Sequence, residues 1–149
     1  MSNPYWYALL ERLHGHLGWL GLAVLLHPVI TLGKNPPPRR STRLSVWLAA
    51  ALMLAPYGVG WAIYPTYRSR VKPGLMREAL PWAMAFETKE HLAFMAVALA
   101  VSGALTLAFA GNTEGGRRSA RALLAAAWLC GLAVGILGLL IASRAHPAW

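Results

Sequence analysis

Five histidines occur in this 149-residue chain, and three of them, His14, His16 and His27, fall inside one apolar stretch over residues 11–33. A neutral imidazole offers a ring nitrogen to iron, zinc or copper, and it also shuttles protons near neutral pH. Polar rings at the depth of a membrane span are costly, so they are functional candidates that need an interior partner. At about 100° per residue, His16 and His27 share nearly one helix face, roughly 16 Å apart along the axis, whereas His14 points about 200° away from His16. His91 is the fourth candidate and stands beside Glu87, Lys89 and Glu90; His146 lies five residues after Ile141, in the chain's last segment.

Three chemistries suit these residues. The first is haem b, held by one imidazole from each of two facing helices. His91 with His16 or His14 would form the axial pair, with His16 preferred because its face continues inward through Leu20 and Ala23 to His27. Glu87, four residues before His91, would orient the ligand ring, and Arg12 or Arg68 would pair with a haem propionate. Gly18 and Gly21, on the His14 side, would clear a porphyrin edge. The second is a non-haem metal site drawn from His14, His16, His91, Glu87 and Glu90, which is weakened because His-x-His on a helix splays its rings apart. The third is a proton or quinone pathway through His27 and Glu87. Against all three stands a plainer reading: rings near a membrane surface hydrogen-bond at headgroup level, and His27 is satisfied by backbone carbonyls that Pro28 frees.

The elements that must position these groups are membrane helices. Hydrophobic residues make up 57% of the chain and charged ones 13%, with a mean hydropathy of +0.46, which leaves too little polar surface to cover a soluble globule. The net charge is +9 with no aspartate; the positive residues read as headgroup anchors rather than a nucleic-acid surface, because no DNA or RNA module pattern accompanies them. The single cysteine, Cys130, excludes an intrachain disulfide and a cysteine metal cage. The N-terminus lacks the pattern of a cleaved signal peptide, so the first apolar segment is expected to stay as a span.

Four segments of spanning length follow in order, about 9–33, 43–64, 82–110 and 120–143, and they predict an all-α integral membrane four-helix bundle in one transmembrane domain over residues 1–149. Ser2 or Asn3 before Pro4 starts the first helix, with Tyr5, Trp6 and Tyr7 as an interfacial anchor. Residues 34–42, KNPPPRRST, break it. Pro56 kinks the second helix, and Tyr57, Trp61, Tyr64 and Arg68 form a stripe that reads as packing and anchoring or as a cofactor wall, with Pro65 a candidate helix end. The loop over residues 65–80 has room for a short surface helix. In the fourth helix Ala127, Gly131, Gly135 and Gly138 form a small-residue ridge for close helix approach, within the chain or against a second copy. Antiparallel neighbours place His14, His16, His91 and His146 near one membrane face and His27 deeper, toward the other. Each face carries seven basic residues, so the positive-inside rule does not choose an orientation.

On these features the chain resembles the small four-helix membrane b-type cytochromes, similar in size and helix count to the bacterial cytochrome b561 class, with the likeness resting on His14, His16, His27 and His91. The resemblance implies a haem-binding electron-transfer protein of a bacterial inner membrane, exchanging electrons with quinone or a partner subunit. That class pairs four histidines around two haems. His27 has no histidine partner at its depth, and Met53 is the substitute considered, so one haem is expected, or two if the deeper level is completed. The alternative is a non-catalytic accessory or assembly subunit of the membrane, with interfacial histidines and the glycine ridge binding a partner or a second copy.

Overall fold

In a computed structural model of the chain, residues 4–33 and 37–144 are described. They form α1 (Pro4–Thr31), α2 (Arg40–Thr66), a π-helical turn (Tyr67–Val71), α3 (Lys72–Glu78), α4 (Leu80–Ala110) and α5 (Glu114–Arg144). Four stretches, Tyr5–Thr31, Arg40–Arg77, Leu80–Ala110 and Glu114–Ser143, are helices long and apolar enough to cross a membrane. The expected all-α four-helix bundle is what forms. Two hairpins, α1 with α2 and α4 with α5, pack side by side through α1–α5 and α2–α4, so α1 and α4 occupy opposite corners and do not touch.

Two helix ends differ from the expected ones for a clear local reason. Pro65 does not stop α2. The Tyr67 N–H still reaches back to the carbonyls of Ile63 and Tyr64, a π turn follows in which the Lys72 N–H reaches the Tyr67 carbonyl five residues back, and the helical path continues into α3. The short helix foreseen in this loop is therefore an extension of α2. At the other end, α5 begins six residues earlier than expected because Thr113 caps it: the Gly116 N–H donates to the Thr113 hydroxyl at 3.0 Å, and Glu114 in the first turn suits the positive end of the helix dipole. Pro81 sits within the first turn of α4, as foreseen. The proposed cap of α1 at Ser2 or Asn3 lies outside the described residues.

The core is built from small side chains that let the helices close. Ala96, Ala100, Ala104 and Leu107 of α4 meet Ala120, Leu124 and Ala127 of α5, joined by Leu25 and Leu32 of α1 and Val46, Ala49, Ala50 and Met53 of α2. A Cβ at Gly103 would lie 2.8 Å from Leu124. The α5 ridge turns inward: Gly131 receives Leu22 and Met53, Gly135 receives the Trp19 ring, and Gly138 lies beside the Lys89 stem. Met53 is thus a core residue wedged between α1 and α5.

Near Pro56, inside α2, the α1 and α2 backbones approach closely. Proline supplies no N–H to the carbonyl four residues back, so the Leu52 oxygen is released from the helix ladder. Gly21 is packed on that oxygen, so close that a Cβ there would sit 2.8 Å from it. Only a glycine permits this approach, and the contact leaves the freed carbonyl facing a Cα–H. Gly21 is therefore filled by α2 and offers no clearance to a cofactor, whereas nothing comes within 4 Å of a Cβ at Gly18.

Candidate functional site

The burial pattern of α1 decides which histidine faces the interior. Its buried residues Tyr7, Gly21, Leu22, Leu25, Pro28 and Leu32 mark one face, and His14, eleven residues before Leu25, falls within about 20° of Leu25 on it. His16 falls about 180° away. It is exposed, as are Leu20, Ala23 and His27 along the same stripe. The alignment of His16 with His27 is real, but the stripe faces the lipid side. A membrane helix shows no hydrophobic contrast between its lipid and bundle faces, so the small residue Gly21 and the close-packed Leu25 and Pro28 select the interior face instead.

The same rotation applies to α4. Lys89, seven residues before Ala96, projects within about 20° of the buried line Ala96–Ala100–Leu107, and His91 projects about 200° from Lys89. His91 is exposed together with Met95 and Ser102. Its Nδ1–H donates to the Glu87 carbonyl at 2.8 Å, and that of His16 donates to the Arg12 carbonyl at 2.7 Å. The expected axial pair, His16 with His91, is therefore not brought together: both rings point outward from helices at opposite corners. Arg12 and Arg68, the expected propionate partners, are exposed. His27 donates to the Ser45 hydroxyl at 3.1 Å while Ser45 donates to the Thr42 carbonyl. Among the described residues no group of three or more His, Cys, Asp or Glu could hold a metal ion, so the five-residue non-haem set is not assembled. His146 lies outside the described residues.

What the fold does gather is a different set of polar groups, just inside the same end of the bundle. His14 and Lys89 lie about 15 Å and 14 Å along their helices from Pro4 and Leu80, and so at one depth. His14 is partly buried and its Nδ1–H donates to the Pro56 carbonyl at 2.7 Å, which leaves Nε2 as the ring's acceptor. The ring lies on Gly60, where a Cβ would be 3.0 Å from it. Pro56 and this glycine thus seat the imidazole. Lys89 reaches inward past Gly138, with its ammonium 4.3 Å from the Phe86 ring centre. It interacts electrostatically with Glu11 and His14 of α1, across the bundle's diagonal, and with Glu90.

Tyr67, in the π turn, completes the set. Its ring stacks on Phe86 at 3.7 Å and on Tyr64 at 6.2 Å. Tyr67 is 7% exposed, and its buried hydroxyl has no hydrogen-bond partner among the described residues. It lies within electrostatic range of Glu90, Glu87 and Tyr7. An unpaired buried hydroxyl costs about 1–3 kcal/mol, so its retention needs a reason such as a ligand or water in that position. Lys72 and Glu87 form an ion pair that ties α3 to α4 over this end. The stripe read from α2 divides: Tyr57 packs on Phe94 at 6.4 Å and Tyr64 joins the Tyr67 stack, whereas Trp61, 75% exposed, points away from the bundle.

Tyr67, Lys89 and Glu11 were not singled out as site residues by the sequence, and Glu90 entered only as a candidate metal ligand. A signal for them exists, since stepping back from Ala96 by two turns reaches Lys89 and stepping back from Leu25 by three and four turns reaches His14 and Glu11. Chemically, the cluster presents hydrogen-bond donors (Tyr67, Lys89), an acceptor (His14 Nε2) and carboxylates leading to the surface, beside an aromatic stack. Comparison of the chain with protein-family models, with curated proteins and with solved structures gives no match, so the reading of this site rests on its own geometry.

Proposed function

We propose that this is a quinone-binding protein of membrane electron transfer, located in a bacterial inner membrane, with the quinone head between His14, Tyr67 and Lys89. The observation that carries the reading is the buried Tyr67 hydroxyl, which has no hydrogen-bond partner among the described residues, at the same end of the bundle as the inward-facing Lys89 and His14. A quinone needs little else. Its carbonyls accept from Tyr67 and the Lys89 ammonium, its ring lies against the Phe86–Tyr67 stack, and its isoprenoid tail extends into lipid. On two-electron reduction to the quinol, two protons enter from the surface through Glu90 and Glu11 and a new hydroxyl donates to His14 Nε2; oxidation of the quinol releases two protons by the same route. The electrons pass to or from a partner redox subunit.

A second reading keeps one haem b. A facing pair of histidines does not fit this bundle, but His14 alone offers a free Nε2 above the open space at Gly18. In that case His14 is the haem ligand from α1, and the group supplies one-electron redox chemistry.

The test is the purified protein's organic extract and visible spectrum. About one quinone per chain in wild type, lost in Lys89→Met, supports the quinone site. A Soret band that disappears in His14→Ala but survives His16→Ala and His91→Ala supports the haem reading. A colourless, quinone-free protein from quinone-replete cells leaves the accessory-subunit reading, in which the α1–α4 polar end docks a partner.

A further inference from the structure

At the opposite end of the bundle, α1 and α5 leave a groove of about 280 Å³ lined by Val29, Arg118, Arg121, Ala122 and Ala125. Arg121 stands at its head. The last turn of α1 tightens, with the Gly33 N–H donating to Ile30 rather than Val29, and the Val29 carbonyl thus freed accepts from Arg121 Nε at 3.0 Å. The guanidinium lies over Gly33, where a Cβ would be 2.9 Å from its central carbon. This contact holds the fork in place at the negative end of the α1 dipole, while its two terminal amino groups have no hydrogen-bond partner among the described residues. Arg118, one turn away, pairs among the described residues with the exposed Glu114, an ion pair of small worth. By contrast, Arg117 is committed to the carbonyls of Gly111 and Asn112, and Arg43 to the Asn112 side chain.

We infer that this groove binds the phosphate of an anionic phospholipid between Arg121 and Arg118, with an acyl chain running down Val29, Ala122 and Ala125. The charge balance of this end supports that occupant. Its described residues include Arg39, Arg40, Arg43, Arg117, Arg118 and Arg121 against the single acid Glu114, whereas the opposite end sets Glu11, Glu87 and Glu90 among its cations. The arginines sit where α1 ends and α5 begins, the level of lipid headgroups for helices of spanning length. A fork-shaped guanidinium matches phosphate oxygens bidentately, and basic pockets between membrane helices bind lipid phosphates on this principle. The small side chains of Ala122 and Ala125 leave the acyl path open. The inference does not depend on the quinone site, which lies at the other end.

The test is native mass spectrometry of the delipidated full chain, titrated with phosphatidylglycerol or with phosphatidylcholine of matched acyl chains, with an inorganic phosphate arm. One phosphatidylglycerol per chain should bind at least tenfold more tightly than phosphatidylcholine. Arg121→Gln and Arg118→Gln should each weaken it about tenfold, and Ala122→Phe should block it while keeping both arginines. Arg118→Gln and Ala122→Phe touch no buried contact, so they decide the matter if Arg121→Gln fails to fold. Equal binding of the two lipids, phosphatidylglycerol binding unchanged in Arg118→Gln and Ala122→Phe, or inorganic phosphate displacing the lipid at equal concentration would overturn it.

Discussion

Replacing Gly21 by alanine sets two effects against each other, and the structure predicts which wins. In a helix interior alanine is favoured over glycine by up to about 1 kcal/mol. The added Cβ at Gly21, however, would stand 2.8 Å from the Leu52 carbonyl oxygen and 3.2 Å from its carbon. These are backbone atoms of α2, so no rotamer change relieves the contact, and α1 must move away by several tenths of an ångström. That displacement opens the packing of Leu22 and Met53 on Gly131 and shifts the seat of His14. Overpacking of a close-packed interior costs about 1–3 kcal/mol, which over most of that range outweighs the propensity gain and leaves Gly21→Ala destabilised by up to about 2 kcal/mol. Gly15 is the control. It lies in the same helix with nothing within 4 Å of a Cβ, so Gly15→Ala should be neutral or stabilising by up to about 1 kcal/mol. Thermal unfolding in detergent, followed by circular dichroism, should therefore separate the variants in opposite directions, at about 2–4 °C per kcal/mol. Gly21→Ala equal to or above Gly15→Ala in Tm would refute the close approach near Pro56.

The other predictions concern the ridge, the topology and the ion pair over the site. Gly131→Leu should cost about 1–3 kcal/mol, since even a Cβ there would meet Leu22 at 2.7 Å and Met53 at 3.0 Å; a wild-type unfolding temperature would mean that the ridge does not pack inside the chain. Reporter fusions after Arg40 and after Arg118 should agree with each other and disagree with fusions after Lys72 and at the C-terminus, and an odd number of crossings would contradict the four-span bundle. Glu87→Gln, which breaks the partly exposed pair with Lys72, should loosen α3 and speed its proteolysis while changing stability by less than about 1 kcal/mol.

Four helices were legible in the sequence because membrane spans announce themselves by length and composition, and Pro81 and the ridge from Ala127 to Gly138 sit where local chemistry puts them. Rotation was not legible in the same way. His16, Leu20, Ala23 and His27 form a correct helical stripe, but a stripe of leucine and alanine is as content against lipid as against protein. The residues that carry rotational information are the glycines and alanines that allow close approach, Gly21, Ala96, Ala100 and Gly103. Projected from these, His14 and Lys89 turn inward and His16 and His91 turn outward. Tyr67 was hidden for another reason: Pro65 reads as a helix end, whereas the helical path continues past it through the π turn and the Tyr67 ring stacks on Phe86.

The most direct test of the central claim is an equilibrium titration of the detergent-purified chain with a short-chain quinone, followed by quenching of tryptophan fluorescence. Saturable quenching at about one site per chain is predicted, weakened about tenfold in Tyr67→Phe and in Lys89→Met and unchanged in His16→Ala and His91→Ala. Absence of saturable quenching in wild type, or affinities in Tyr67→Phe and Lys89→Met equal to wild type, would contradict a quinone head held between α1, the π turn and α4.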